Sequence, residues 1–199
     1  NGLVQRQPTP ALESGDLQRQ SRYFNMAILN YYKLYDDVHE PHFATEGSAC
    51  FDLHCHLIQN NPVTIYEMDN KKVLRLTQVY NDEDGVQLAI NPADRVLVPT
   101  GLIFNIPDGH SVRLHTRSSI SLKKGLIMPN SEGIIDSDYY HQAFVMLYNS
   151  SADEVRISHG ERIAQGELIK NYQHEIEETK NIPEQKTTRV GGFGSTGVN

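Results

Sequence analysis

Residues 130–139, NSEGIIDSDY, have the make-up of a site for proton transfer. Loop formers (Asn130, Ser131, Gly133) lead into the apolar pair Ile134 and Ile135. One carboxylate, Asp136, follows, with an aromatic, Tyr139, three residues on. A turn followed by a short apolar strand lets backbone N–H and C=O groups face a ligand and fixes the acid at the strand's end. Such an arrangement can hold a general base beside something small and flat; it also suits a hairpin whose Asp caps a turn. Arg117-Ser118-Ser119 is an anion site in kind, with hydroxyls and backbone N–H groups at a helix start and a guanidinium that can bind two phosphate oxygens. The tail at 191–197, GGFGSTG, has four glycines in seven residues. Glycines there, Gly194 among them, permit close backbone approach and anion-cradling nests. Ser195 and Thr196 add hydroxyl donors, Phe193 a flat face, and Arg189 charge just upstream; composition alone also suits a flexible Gly/Ser tail. Asp52 and Asp136 are candidates for a general base or for contact with magnesium, an ion that keeps several waters and so meets a carboxylate through water.

The chain between these residues reads as short strands and turns, with almost no helical periodicity. Strand-like runs are AILNYYKLYDD after Met26, SACFDLHCHL at 48–57, and DRVLVPTGLIFNI at 94–106 around a Pro99-Thr100-Gly101 turn. SVRLHT at 111–116 alternates, with Val112 and Leu114 inward; further strands are 143–148, 154–158 and RIAQGELI, the last after a His159-Gly160 turn. The best place for a short helix is 118–124, with Ser at its N-cap and Gly125 after its end. Residues 60–90 (pieces VTIYEM, KVLRLTQV, VQLAI) look like a surface excursion that adds a hairpin. Residues 1–25, rich in Gln, Arg, Ser and Pro, cannot bury enough surface to fold alone and are expected to be a disordered leader or added extension. The domain is then 26–199, with 171–199 as an extended arm ending in the glycine-rich segment. Many short strands with frequent turns make this an all-β barrel or sandwich with one short helix.

A chain of 199 residues is long enough for one domain with a real core. Its net charge of -7 gives no basic footprint for nucleic acid, so an anionic ligand must be held by local Arg and Lys clusters or a metal. No apolar run approaches membrane-spanning length and no secretory signal pattern is present, so a soluble cytoplasmic protein without membrane contact is expected. Cys50 and Cys55 lie five apart, with His54 and His56 nearby. In a strand an odd separation puts the thiols on opposite faces, which suits neither a disulfide nor shared metal coordination, so both are expected as reduced thiols. The histidines (His54, His56, His115, His141, His159) show no shared spacing, and no role is assigned to them.

Five stretches in order, SACFDL, RSSISLKKG, NSEGIIDSDYY, GERIAQ and RVGGFGSTG, carry a resemblance to the homotrimeric dUTPase family. The resemblance covers about 31–199 and includes DRVLVPTGL between the first and second motifs. It implies a jelly-roll-like distorted β-barrel and a homotrimer with three sites, each drawing motifs from different subunits. The C-terminal arm would be exchanged so that it closes over a neighbour's site. The implied reaction is dUTP plus water to dUMP and pyrophosphate, with Mg2+ on the triphosphate, keeping uracil out of DNA and supplying dUMP for thymidylate synthesis. By position, Asp136 would orient and deprotonate the water, and Tyr139 would pack beneath the deoxyribose and leave no room for a 2'-hydroxyl. Asn130, Gly133 and the backbone up to Ile135 would read the uracil edge. Arg117, Ser118, Ser119 and Gln165 would hold phosphates, and Asp52 would contact the metal's water shell. Arg189 would reach the γ-phosphate, Phe193 would cover the uracil, and Gly194, Ser195 and Thr196 would complete the phosphate cage.

The chain departs from the family pattern in three places. Three residues separate Arg189 from Phe193 where the family usually has four, His141 replaces the usual glycine after the third motif, and Cys50 stands in a first motif that usually reads AGYDL. The long 60–90 segment and the wording of the third motif fit a viral or phage member. Two other readings compete. The sister dCTP deaminase family shares the fold and an RSS motif but uses a catalytic Glu where VMLYN here carries Met146, whose thioether cannot shuttle protons. A nucleotide-binding regulator on the same scaffold would keep the fold without the chemistry.

Overall fold

The computed structural model describes residues 27–81 and 83–188. The described strands begin with β1 (Asn30–Lys33), β2 (His42–Phe43), β3 (Phe51–His54), β4 (Pro62–Tyr66), β5 (Lys72–Leu76), β6 (Gln78–Val79) and β7 (Val86–Ile90). Next come β8 (Arg95–Pro99), β9 (Leu102–Asn105), β10 (His110–Thr116), the helix α1 (Ser118–Lys124) and β11 (Leu126–Ile127). The described strands end with β12 (Gly133–Asp136), β13 (Phe144–Asn149), β14 (Val155–Ser158) and β15 (Arg162–Lys170). One five-stranded sheet has the order β12-β10-β15-β3-β2 and a second β11-β13-β8-β4-β5; β14-β7-β6 and β1-β9 form smaller ones. All pairings are antiparallel, and both large sheets feed one apolar cluster.

Strand β10 has candidate site residues beside both of its ends, Asp136 of β12 opposite Ser111 and Arg117 directly after Thr116. Val112 and Leu114 are buried in the core, as their alternation predicts, while Arg113 and His115 face the other way. β12 pairs along one edge and β15 along the other, so neither β10 edge is open. In the second sheet Val145 and Leu147 of β13 stand opposite Val98 and Val96 of β8, all four buried. Gly101, at φ 72, makes the expected turn between β8 and β9. The Cβ of any other residue there would collide with Val38 Cγ2.

Several expectations need correction. Residues 60–90 are no surface excursion. β4 pairs with β8, placing Ile65 opposite Val96 with 0% exposure, and β7 buries Leu88, Ala89 and Ile90. Val63 and Ile65 alternate with polar residues on a single face, a signal masked by the charged turns around them. The β5 edge of the expected hairpin is exposed, with Leu74 at 64%. Residues 130–139 contain the turn, with Ser131 at φ 63, but no hairpin: β12 pairs with β10, on the far side of α1. The N-cap of α1 is Arg117, in extended conformation without a side-chain cap, because the chain leaves β10 directly into the helix. Gly125 closes α1 in the left-handed conformation as expected.

The histidines, scattered in sequence, meet in space. His39 and His42 both stack on His54, at 4.6 and 5.6 Å between ring centres, and His56 lies edge-on to His159 at 5.1 Å. His56 Nε2 donates to Asp37 Oδ1 at 2.9 Å while Tyr35 stacks on the same ring, so the segment after β1 is strapped to β3 and the loop behind it. Burial, and then the positive charge that His39 and His42 can carry, push the His54 ring down to about 4. Residues 171–188 form neither strand nor helix and are almost wholly exposed, Tyr172, Ile176 and Ile182 among them. No described helix is long and apolar enough to cross a membrane.

Ile65→Ala should lower unfolding free energy by about 2–5 kcal/mol in urea titration, whereas exposed Leu74→Ala should cost less than about 0.5 kcal/mol; equal small effects would put β4 outside the core. His54 titrates from 6.5 in the unfolded chain and about 4 in the folded one, so its neutral form favours folding. Its contribution is complete above pH 6.5, shrinks as pH falls towards 4, and changes no further below that. His54→Phe keeps a stacked ring without a proton site and should make the decline across that window shallower; an unchanged slope would remove His54 as its source.

Candidate active site

Two separate recesses hold the residues singled out from the sequence. The first, a cleft of ≈ 300 Å³, is lined by Asp52, Arg117, Ser118, Ser119, Arg162 and Gln165, with 48–50 and Ala44 at its rim. Asp52 sits mid-strand in β3 opposite Gln165 of β15, which brings the first and fourth motifs side by side. Asp52 is only 7% exposed, and its carboxylate is clamped by two guanidiniums. Arg117 Nε lies 3.1 Å from Oδ1, and Arg162 Nη1 donates to Oδ2 at 3.0 Å. Arg117 also donates to Ser119 Oγ at 3.4 Å and to the Arg162 carbonyl at 3.3 Å. Two cations around one anion leave the cleft a net positive charge, suited to phosphate oxygens.

Sequence reasoning misses Arg162, although it stands inside GERIAQ. A register irregularity in β15 between Arg162 and Ala164 accompanies its position at the cleft. A bulge carries no mark in the sequence beyond the motif itself. Cys50 also lines the cleft; burial, and then the charge of Glu167, push its thiol up.

The second recess, ≈ 260 Å³, is lined by Leu97, Ile134, Ile135, Asp136, Tyr139, Ala143 and Phe144. The Tyr139 N–H donates to the Asp136 carbonyl at 3.1 Å, and Tyr139 Oη donates to the Gln142 carbonyl at 3.1 Å, so the aromatic is folded back beside the acid. The Asp136 carboxylate is exposed and has no hydrogen-bond or ion-pair partner among the described residues. The turn is therefore closed by the backbone, and the carboxylate does not cap it. Asn130 and Gly133 do not line this recess. Asn130 precedes the Ser131 turn, and Gly133 is packed against Leu114 and Met128, where a Cβ would come within 3.0 Å.

One chain does not bring the two recesses together. Asp136 is paired with Ser111 at one end of β10, and Arg117 follows Thr116 at the other. Six residues of extended strand separate them by about 20 Å. The proposed phosphate and base groups thus lie at opposite ends of one rigid strand. Arg189, Phe193, Gly194, Ser195 and Thr196 lie outside the described residues.

The acids fit magnesium unequally. Both Asp52 oxygens already accept from guanidiniums, and two cations stand beside it, so Asp52 suits contact with an ion's water shell and not direct ligation. At the position where a deaminase would carry its Glu, Met146 pairs with Leu97 in the second sheet.

The dUTPase family model matches residues 85–197, more than half of the chain. Deoxyuridine 5'-triphosphate nucleotidohydrolase of Hydrogenobaculum sp. (strain Y04AAS1) is 35% identical over 166 residues, covering 83% of this chain and 95% of that protein. A mutant dUTPase of Staphylococcus bacteriophage 80alpha, solved with dUpNHpp, superposes with a TM-score of 0.65 at 18% identity, covering 87% of this chain and 100% of the other. A mutant dUTPase from phage phi11 of S. aureus, described with the coordination of a structural Mg(II) ion, gives 0.60 at 14% identity, covering 79% and 100%. With the family model matching more than half of its length and its motifs in order, the chain belongs to the dUTPase family.

Proposed function

We propose that the chain hydrolyses dUTP to dUMP and pyrophosphate in sites that two or more copies complete together. The observation that carries this reading is the Asp136 carboxylate, without a partner among the described residues, at a recess of its own about 20 Å along β10 from the arginine-lined cleft. A base and a phosphate site so far apart can act on one triphosphate only if the base of one copy faces the cleft of another. Rotational repetition of such a head-to-tail contact closes a ring, and a homotrimer is the arrangement proposed.

The chemistry is a displacement at phosphorus. Asp136 accepts a proton from water as the water oxygen bonds to the α-phosphorus, and the bond from that phosphorus to the α,β-bridging oxygen breaks. The electron pair leaves with pyrophosphate, and Asp136 later passes its proton to solvent. Arg117, Arg162, Ser118, Ser119 and Gln165 hold the β- and γ-phosphates and take up the charge that develops on the leaving group. Asp52 keeps the two guanidiniums aimed into the cleft before substrate arrives. Magnesium, when bound with the triphosphate, supplies charge neutralisation there, with Asp52 meeting its water shell.

Tyr139 and Ile135 line the recess for the deoxyribose, and the uracil edge is read beyond that recess by Asn130, Gly133 and the intervening backbone. Cytosine presents the opposite donor and acceptor pattern and would leave buried groups unpaired. In the C-terminal arm, Arg189 serves the γ-phosphate, Phe193 covers the base, and Gly194, Ser195 and Thr196 cradle phosphate oxygens, excluding water as the arm closes. The exposed apolar side chains Tyr172, Ile176 and Ile182 support an arm that packs on another copy.

The test is a product assay with magnesium and dUTP, dCTP or UTP. Pyrophosphate should appear from dUTP and not from the other two; ammonia from dCTP would favour a deaminase, and no product at all a regulator. Asp136→Asn should lower kcat by about 10²- to 10⁴-fold with little change in dUTP affinity. Turnover at the wild-type rate would remove Asp136 as the base.

A further inference from the structure

Strands β10 and β15, with the residue just before β3, bring Cys50, His115 and Glu167 together on the face of the sheet opposite the core. His115 stands across from Gln165, and Arg113 across from Glu167, so His115 and Glu167 are diagonal neighbours on β10 and β15. Phe51 pairs with Gly166, and continuing that register by one residue sets Cys50 opposite Glu167. One ligand atom from each side chain lies within 4.8 Å of the other two.

The histidine is already oriented. His115 Nε2 is buried without a hydrogen-bond partner among the described residues; Glu167 Oε2 is 3.6 Å away, too far for a hydrogen bond. On its other side Nδ1 faces Glu132 Oε1 at 3.9 Å, and Glu132 Oε2 accepts from Arg113 Nη1 at 3.0 Å. Metal binding at Nε2 puts the ring proton on Nδ1, where the Glu132 carboxylate faces it at 3.9 Å, and turns the Nε2 lone pair towards the thiol and the second acid. A buried ring nitrogen with no hydrogen-bond partner is costly, and a cation bound through its lone pair would relieve that cost. Bonds of about 2.0–2.3 Å in a tetrahedron hold ligand atoms roughly 3.3–3.7 Å apart, a spacing that the nitrogen and the carboxylate oxygen already have.

We propose that Cys50, His115 and Glu167 form a zinc site, one per chain, with Glu132 holding the histidine from behind and a fourth position left to water. Thiolate with imidazole selects zinc over the hard magnesium ion that travels with a triphosphate. Binding releases the Cys50 thiol proton to solvent. A second trio, Asp37, His56 and His159, does not qualify. The Leu57 N–H donates to His159 Nδ1, so Nε2 keeps its proton and points it at Asp37, and His56 Nε2 donates to the same carboxylate. Neither ring turns a lone pair towards the centre of that trio.

The full chain, stripped with a chelator and titrated with Co2+, reports the site directly. The chain has two cysteines, and Cys55 is buried, pushed up to about 12, and donates its thiol to the Ser158 carbonyl. A thiolate-to-cobalt charge-transfer band therefore comes from Cys50. One Co2+ per chain should bind with that band and be displaced by Zn2+. Cys50→Ser should abolish the band and weaken binding more than 100-fold, and Glu132→Gln should weaken it by about 10- to 100-fold. Glu167→Gln, on a half-exposed strand position, repeats the ligand test if the serine variant fails to fold. No bound ion, binding without the band, or unchanged affinity in Cys50→Ser or Glu167→Gln would overturn the site.

Discussion

A strand can be no shorter than its residues allow, and β10 is the ruler on which this molecule is laid out. Its two antiparallel ladders fix β12 on one side and β15 on the other, with Val112 and Leu114 locked in the core between them. A one-residue slip of either ladder would turn those two side chains to the other face and expose them. The positions of Asp136 and Arg117 are therefore set by core packing as firmly as by any contact of their own. On the proposed reading, the distance between them is why a second copy of the chain is needed for the chemistry.

The cleft end of the ruler solves an electrostatic problem. Two guanidiniums held side by side in a half-buried recess repel each other, and Asp52 between them cancels part of that repulsion. The same pairing fixes both forks in the cleft, so a phosphate held there as proposed would demand little reorganisation. At the other end the Asp136 carboxylate is exposed, with no partner among the described residues, which suits the proton-accepting role proposed for it. One acid is committed to holding cations, the other kept free.

Much of this is legible in the sequence, and the reasons differ by element. The alternation of SVRLHT tells which residues of β10 face inward, and the Gly125 stop marks the end of α1, because both are local signals. The five ordered stretches point to the family with no help from geometry. β4 reads wrongly because its buried pair, Val63 and Ile65, lies between charged turns that dominate local composition. The pairing of β12 with β10 in place of a hairpin, and the irregularity beside Arg162, are long-range outcomes that no window of sequence contains. The same holds for Cys50, His115 and Glu167, which sequence spacing scatters and strand register gathers.

The most direct measurement of the split arrangement uses two defective chains. Arg117→Ala removes a guanidinium from the cleft, and Asp136→Asn removes the base; each should be inactive alone. Unfolded together in equal amounts and reassembled, they place an intact base against an intact cleft in roughly one site in four, if partners mix at random around a closed ring. A base and a cleft from different copies predict dUTP hydrolysis at about that fraction of the wild-type rate. A mixture as inactive as its parents would show that base and phosphate groups act from the same chain, contradicting the split site.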